Sequence, residues 1–174
     1  MSQVPDLQAL LQRADEALAL LRQSVAHPLQ APDWQASSAF RYRRRRGQPM
    51  LEPVAHVAHI AFDDLKEIEP QKQKILRNTR RFVQGLPANN VLLTGARGTG
   101  KSSLVKACLH AFASDGLRLI EVDKADLVDL PDIADVVFGR PERFVVYCDD
   151  LSFEAGDPAY KALKSMLDGS VAAT

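Results

Sequence analysis

The chain has 174 residues, 46% of them hydrophobic and 25% charged, the balance of a globular protein with one domain and an appendage. Its 22 basic and 22 acidic side chains cancel, so the overall charge gives no reason to expect nucleic acid or an anionic membrane as partner. Only Cys108 and Cys148 are cysteines, set in apolar runs without metal-ligand spacing, which argues against a disulfide framework and for two small core residues.

Taken in chain order, Leu7, Leu11, Ala14, Leu18, Leu21 and Val25 recur at steps of four and three, one face of an amphipathic helix. We assign residues 1–31 to this N-terminal helix, which docks on its own domain or serves self-association. Pro28 ends it, because the residue before a proline is pushed out of helical conformation. Asp6 and Asp15 in this segment are foreign to a signal peptide, and no apolar run approaches the roughly 20 residues of a membrane helix. A cytoplasmic location without a membrane partner is expected.

Residues 32–59 show no clear period and carry the basic block Arg41 to Arg46, so we read a basic linker or arm. Trp34, Phe40 and Tyr42 beside the arginines have the chemistry to stack on bases or to anchor the arm to the domain. Nucleic acid is the weaker of these expectations, given zero net charge. His56 and His59 lack a nearby set of further ligands, so a zinc site is not expected there.

Residues 60–174 read as a nucleotide-binding unit. A helix is expected up to Gln84, with Ile75, Leu76, Thr79, Phe82 and Val83 on one side and Gly85 and Pro87 as stop signals. Val91 to Thr94 is a short apolar run of strand type. After it, Leu104, Val105, Cys108, Leu109 and Phe112 give the buried stripe of a helix over Lys101 to Phe112. Further strands are expected at Leu117 to Val122 and Phe144 to Cys148, with a short helix at Pro131 to Phe138 between them. Asp157 and Pro158 open a last helix as N-cap and first-turn residue. Strands alternating with helices predict an α/β fold, a mainly parallel sheet covered on both faces.

Between the apolar run and the helix stands Gly95-Ala96-Arg97-Gly98-Thr99-Gly100-Lys101-Ser102-Ser103, which satisfies Gly-x4-Gly-Lys-Ser. Glycines let the backbone bring its N–H groups against phosphates, and the helix N-terminus adds its positive dipole end. In this pattern Lys101 reaches the β- and γ-phosphates, and the Ser102 hydroxyl oxygen serves Mg²⁺. Asp149 and Asp150 directly follow an apolar strand, where two carboxylates are costly unless they meet a cation or donors. Asp149 is the expected partner of the metal through water, and Asp150 the group that orients or deprotonates attacking water, with Glu154 as a rival. Lys101 and Asp150 are therefore the candidate catalytic residues, Ser102 and Asp149 the candidate metal residues, and ATP with Mg²⁺ the expected ligands.

These residues resemble the AAA+ superfamily of P-loop ATPases, with Gly95 to Ser103 similar to its Walker A loop and Val145 to Asp150 to its Walker B strand. Gly85 to Val91, Arg118 to Lys124, Leu127 to Asp132, Cys148 to Glu154 and Pro158 to Leu163 are similar to a bacterial branch of predicted AAA+ ATP-binding proteins of unknown function. The resemblance implies a P-loop NTPase fold, ATP hydrolysis at a subunit interface of a homo-oligomer, and remodelling of a partner protein. It further implies that Ile60 to Ile68 lines the adenine pocket; many relatives have Gly where Glu67 stands. The family's sheet has one more strand between the two Walker strands, which this sequence does not supply, so the chain resembles the N-terminal part of such a domain. Two arrangements follow: a slot between the Walker strands, or their direct pairing, as in P-loop kinases.

Overall fold

The computed structural model of the chain describes residues 11–13, 16, 28–154 and 156–168. Most of the expected N-terminal helix lies outside the described residues; Leu11 to Arg13 and Glu16 are helical. Among the described residues no helix is long and apolar enough to cross a membrane.

The first correction falls on the basic arm. Residues 32–59 contain two strands, β1 (Ala39–Arg45) and β2 (Gln48–Pro53), which form an antiparallel hairpin with Arg45 opposite Gln48. The two residues between them, Arg46 and Gly47, have φ values of 51° and 79°, the left-handed pair of a tight hairpin turn. Phe40 and Tyr42 alternate inward and are wholly buried, and Trp34 meets Phe40 and Phe144 edge-on at 4.8 and 4.6 Å. These aromatics anchor the segment in the core, where no base reaches them. The arginines that look like a charge run are strand residues: Arg41 pairs with Glu121, Arg44 with Asp129 and Arg45 with Glu52.

The remaining elements are α1 (Glu69–Val83), α2 (Lys101–Phe112), β3 (Leu117–Glu121), α3 (Leu130–Val137), β4 (Arg143–Tyr147) and α4 (Pro158–Asp168). The sheet order is β2-β1-β3-β4; β1, β3 and β4 run parallel, and only β2 is antiparallel. This is an α/β fold, a mostly parallel four-stranded sheet flanked by helices.

Strand alternation sends the two sets of side chains to opposite faces. On one face Phe40, Tyr42, Ile120 and Val122 pack with Leu130 and Ile133 of α3, Ala159 of α4 and Leu29. On the other, Ala39, Leu117 and Leu119 meet Leu109 and Phe112 of α2. Behind α2, α1 packs Ile75 against Leu104 and Cys108. Each large side chain removed from water in these layers contributes about 1.5–3 kcal/mol, which makes the two faces the main source of stability.

The second correction concerns Val91 to Thr94. This run forms no ladder within the described residues, and Val91 and Leu92 are 52% and 77% exposed. Only Leu93 turns inward, against the Ile75, Leu104 and Cys108 cluster. The physical reason is the sheet's edge. Among the described residues β4 pairs only with β3, and a parallel strand needs a neighbour to satisfy its N–H and C=O groups. The two Walker-like segments therefore do not pair directly, and Val146 on β4 is 41% exposed.

Candidate functional site

The site is built where α2 begins and β4 ends. The loop from Gly95 to Gly100 delivers the chain into α2, with Gly98 and Gly100 both at φ 83°, a conformation that L side chains resist. A Cβ at either position would point into open space, so glycine is needed there for backbone shape and leaves an unobstructed cradle. Thr99 Oγ1 donates to the Ala96 carbonyl at 2.8 Å and tightens the loop. Leu104 N donates to the Gly100 carbonyl at 2.8 Å, the first bond of α2, so the N–H groups just before it remain free of helix partners.

Lys101 is the first residue of α2, and its ammonium donates to the carbonyls of Gly95 and Ala96 at 2.8 Å each. It thus lies folded over the loop, with its charge at the helix N-terminus. Ser102 Oγ donates to Asp149 Oδ2 at 2.8 Å, across 47 positions in sequence. This bond ties the start of α2 to the end of β4. The Asp149 carboxyl is held below its ordinary range, chiefly by the Ser102 hydrogen bond and then by Tyr147; burial opposes them, and the Asp150 N–H and the charge of Lys101 add smaller lowering effects. It is an anion at neutral pH.

Asp150 follows with φ 50°, a left-handed conformation that Asp adopts more readily than most residues, and its N–H donates to Asp149 Oδ1 at 3.0 Å. Its side chain is exposed, as is that of Glu154, and neither carboxylate hydrogen-bonds to the loop among the described residues. The structure thus joins Gly95, Ala96, Thr99 and Lys101 within the loop and Ser102, Asp149 and the Asp150 N–H at the strand end, and leaves the side chains of Arg97, Ser103, Asp150 and Glu154 outside these bonds among the described residues.

One contributor at this corner is absent from the motifs. Tyr147 lies two residues before Asp149, on the α2-facing side of β4 with Val145. Its spacing from Asp149 is the sequence signal, since residues two apart on an extended chain share a face.

The segment expected at an adenine pocket lies beside the loop. Phe62, Leu65 and Ile68 pack on Ile75, Leu104 and Cys108, the same cluster that receives Leu93. Glu67 within it has φ 61°, a left-handed conformation that glycine would adopt without strain. His59 lies against His110 of α2 with the rings tilted by 55° and their centroids 3.6 Å apart; centroids that close leave no room for both rings to bind one zinc ion in tetrahedral geometry.

The donor set fits a magnesium nucleotide. A hydroxyl and a carboxylate oxygen are hard ligands, and Mg²⁺ uses one or two protein ligands together with phosphate oxygens and water. Among the described residues no group of three or more His, Cys, Asp or Glu forms a dedicated metal cage.

Residues 35–174 match the protein family described as "Protein of unknown function (DUF815)". No curated protein and no solved structure matches the chain.

Proposed function

Since the chain belongs to the DUF815 family, whose domains are AAA-like, we propose that it binds ATP with Mg²⁺ at the Gly95–Ser103 loop and hydrolyses it. The observation that carries this reading is the Ser102–Asp149 hydrogen bond at 2.8 Å, which joins the phosphate-loop helix to the acid-bearing strand end. A strand terminus and a glycine loop that meet through a hydroxyl and a carboxylate have the parts of a metal–triphosphate subsite.

Backbone N–H groups of Gly98, Thr99 and Gly100, with the dipole of α2, receive the phosphates. Lys101 exchanges the Gly95 and Ala96 carbonyls for phosphate oxygens, a change from neutral to charge-assisted acceptors. Ser102 offers its hydroxyl oxygen to the cation, and Asp149 receives a hydration water of that cation. When bound, Mg²⁺ neutralises charge that develops on the phosphates. Asp150, exposed beside Asp149, orients the attacking water and takes its proton. We further propose that turnover takes place in a homo-oligomer and remodels a protein partner, as the resemblance of the loop and strand motifs to AAA+ proteins implies.

The test is ATP binding and phosphate release by the full chain and two variants. Lys101→Ala is expected to lose ATP affinity by about 100-fold or more, since it removes a charged phosphate ligand. Asp150→Asn is expected to bind ATP as the parent does while turnover drops by a factor of about 10²–10⁴. Equal turnover by Asp150→Asn removes that residue as the base. Tight binding without turnover by the parent reduces the function to a nucleotide-gated switch.

A further inference from the structure

The Tyr147 hydroxyl is buried and makes no hydrogen bond of proper geometry within the described residues. Such a group costs about 1–3 kcal/mol if it stays unpaired, so a persistent orphan calls for a partner that arrives with a ligand. Its ring is fixed: Tyr147 packs with Val145 against Leu109, Phe112 and Leu119 on the α2 side of the sheet, while Cys148 turns to the opposite core. That alternation puts Tyr147 on the same side of β4 as Asp149, whose carboxylate meets Ser102. The phenol is pushed up to about 12, mainly by burial, and Ser102 and Asp149 are the next two neighbours that act on it, in opposite senses.

We propose that the buried Tyr147 hydroxyl belongs to the Ser102–Asp149 metal subsite, where it gains its hydrogen-bond partner when a divalent cation and its hydration water bind. This inference rests on the metal–nucleotide reading of the site. Both Asp149 oxygens already accept one bond each, from Ser102 and from the Asp150 N–H, and each keeps a further lone pair. A hydroxyl that both donates and accepts can take one of those lone pairs and also receive a hydrogen from metal-bound water. Tyr147 is in this sense a positioning residue: it holds the carboxylate that holds the water, and its own contribution exists only in the loaded state.

The experiment measures ATP affinity of the full chain with MgCl₂ and with EDTA, for the parent and Tyr147→Phe, which keeps the ring and removes only the hydroxyl. Tyr147→Phe is expected to weaken ATP binding about five- to tenfold in MgCl₂, the size of one charge-assisted hydrogen bond, and less than about twofold in EDTA. Its melting temperature without ligand is expected to equal or exceed that of the parent, because an unpaired buried hydroxyl is removed. In an Asp149→Asn background the further change to Phe is expected to have no added effect on the Mg²⁺ dependence. An unchanged affinity in MgCl₂, or an equal loss in EDTA, overturns the role of Tyr147 alone. A parent whose ATP affinity ignores Mg²⁺ overturns the metal subsite itself, and this proposal with it.

Discussion

Asp129 shows how single side chains hold the protein together. It is 7% exposed, and a carboxylate at that depth is tolerated only with partners for its oxygens. Tyr42 donates to Oδ2 at 2.8 Å, and the Arg44 guanidinium grips both oxygens as a fork. The Tyr42 phenol is raised above its ordinary value, first by burial and then by its hydrogen bond to Asp129. The sign of the pH dependence follows. Above about pH 10 the unfolded chain releases this proton while the folded chain keeps it, so the folded state binds more protons and stability falls as pH rises. Each such phenol adds a slope of up to about 1.4 kcal/mol per pH unit. Denaturant titrations of Tyr42→Phe are expected to show a loss of about 1 kcal/mol near pH 8, from the missing hydrogen bond, and a shallower decline above pH 10 than the parent. Tyr147, pushed up to about 12, contributes to the same decline, so the variant flattens it without abolishing it. A decline as steep as the parent's would remove Tyr42 as a source.

Among the elements, the β1–β2 hairpin depends on one glycine. Gly47 sits at φ 79°, and a Cβ added there would meet nothing within 4 Å, so a side chain costs backbone strain alone. Gly47→Ala is therefore expected to lower unfolding free energy by about 1 kcal/mol, and Gly47→Asn by less, since Asn tolerates the left-handed region better. Equal losses for the two variants would point to a side-chain clash instead. This hairpin is also the least legible part of the fold. The Arg41 to Arg46 block reads as a solvated charge run, and that reading hides the alternation of Phe40 and Tyr42 and the Arg46-Gly47 turn. By contrast α2 starts and stops as its apolar period predicts, and β3 and β4 fall within a residue of expectation, because both carry their own hydrophobic signal. Val91 to Thr94 carries the same kind of signal without becoming a strand, since apolar sequence cannot create the neighbour that a ladder requires. The meeting of Ser102 and Asp149 is legible because one stands at a helix start after a glycine loop and the other just past an apolar strand. Tyr147 is not, because a hydroxyl on a strand is informative only once its orientation is known.

On the scale of the whole molecule, the glycine loop is the least supported part of a well-packed frame. The sheet is open at β4, Val91 and Leu92 are exposed, and the loop residues from Gly95 to Thr99 are exposed as well. What connects this corner to the frame is Leu93 in the α1–α2 cluster, the buried stripe of α2, and the Ser102–Asp149 bond. A segment with few buried contacts opens at low free energy, and a ligand that binds only its closed form raises that free energy by mass action. ATP with Mg²⁺ at about 100 times its dissociation constant should thus stabilise the folded chain by about 2.7 kcal/mol. For a protein of this size that is a rise in melting temperature of about 5–10 °C. Asp150→Asn should show the full rise, because the Asp150 side chain makes no hydrogen bond to the loop among the described residues, and Lys101→Ala should show none. Replacing MgCl₂ with EDTA should reduce the rise in the parent, since Ser102 and Asp149 then lack the cation that joins them to the phosphates. Hydrogen exchange would locate the effect: protection is expected to increase first in residues 91–102 and at the end of β4, and little in the β1–β2 hairpin on the far edge. A parent whose melting temperature stays constant at millimolar Mg²⁺–ATP would mean that the corner does not close on a nucleotide at all, and the loop would then have to be explained as a structural turn alone.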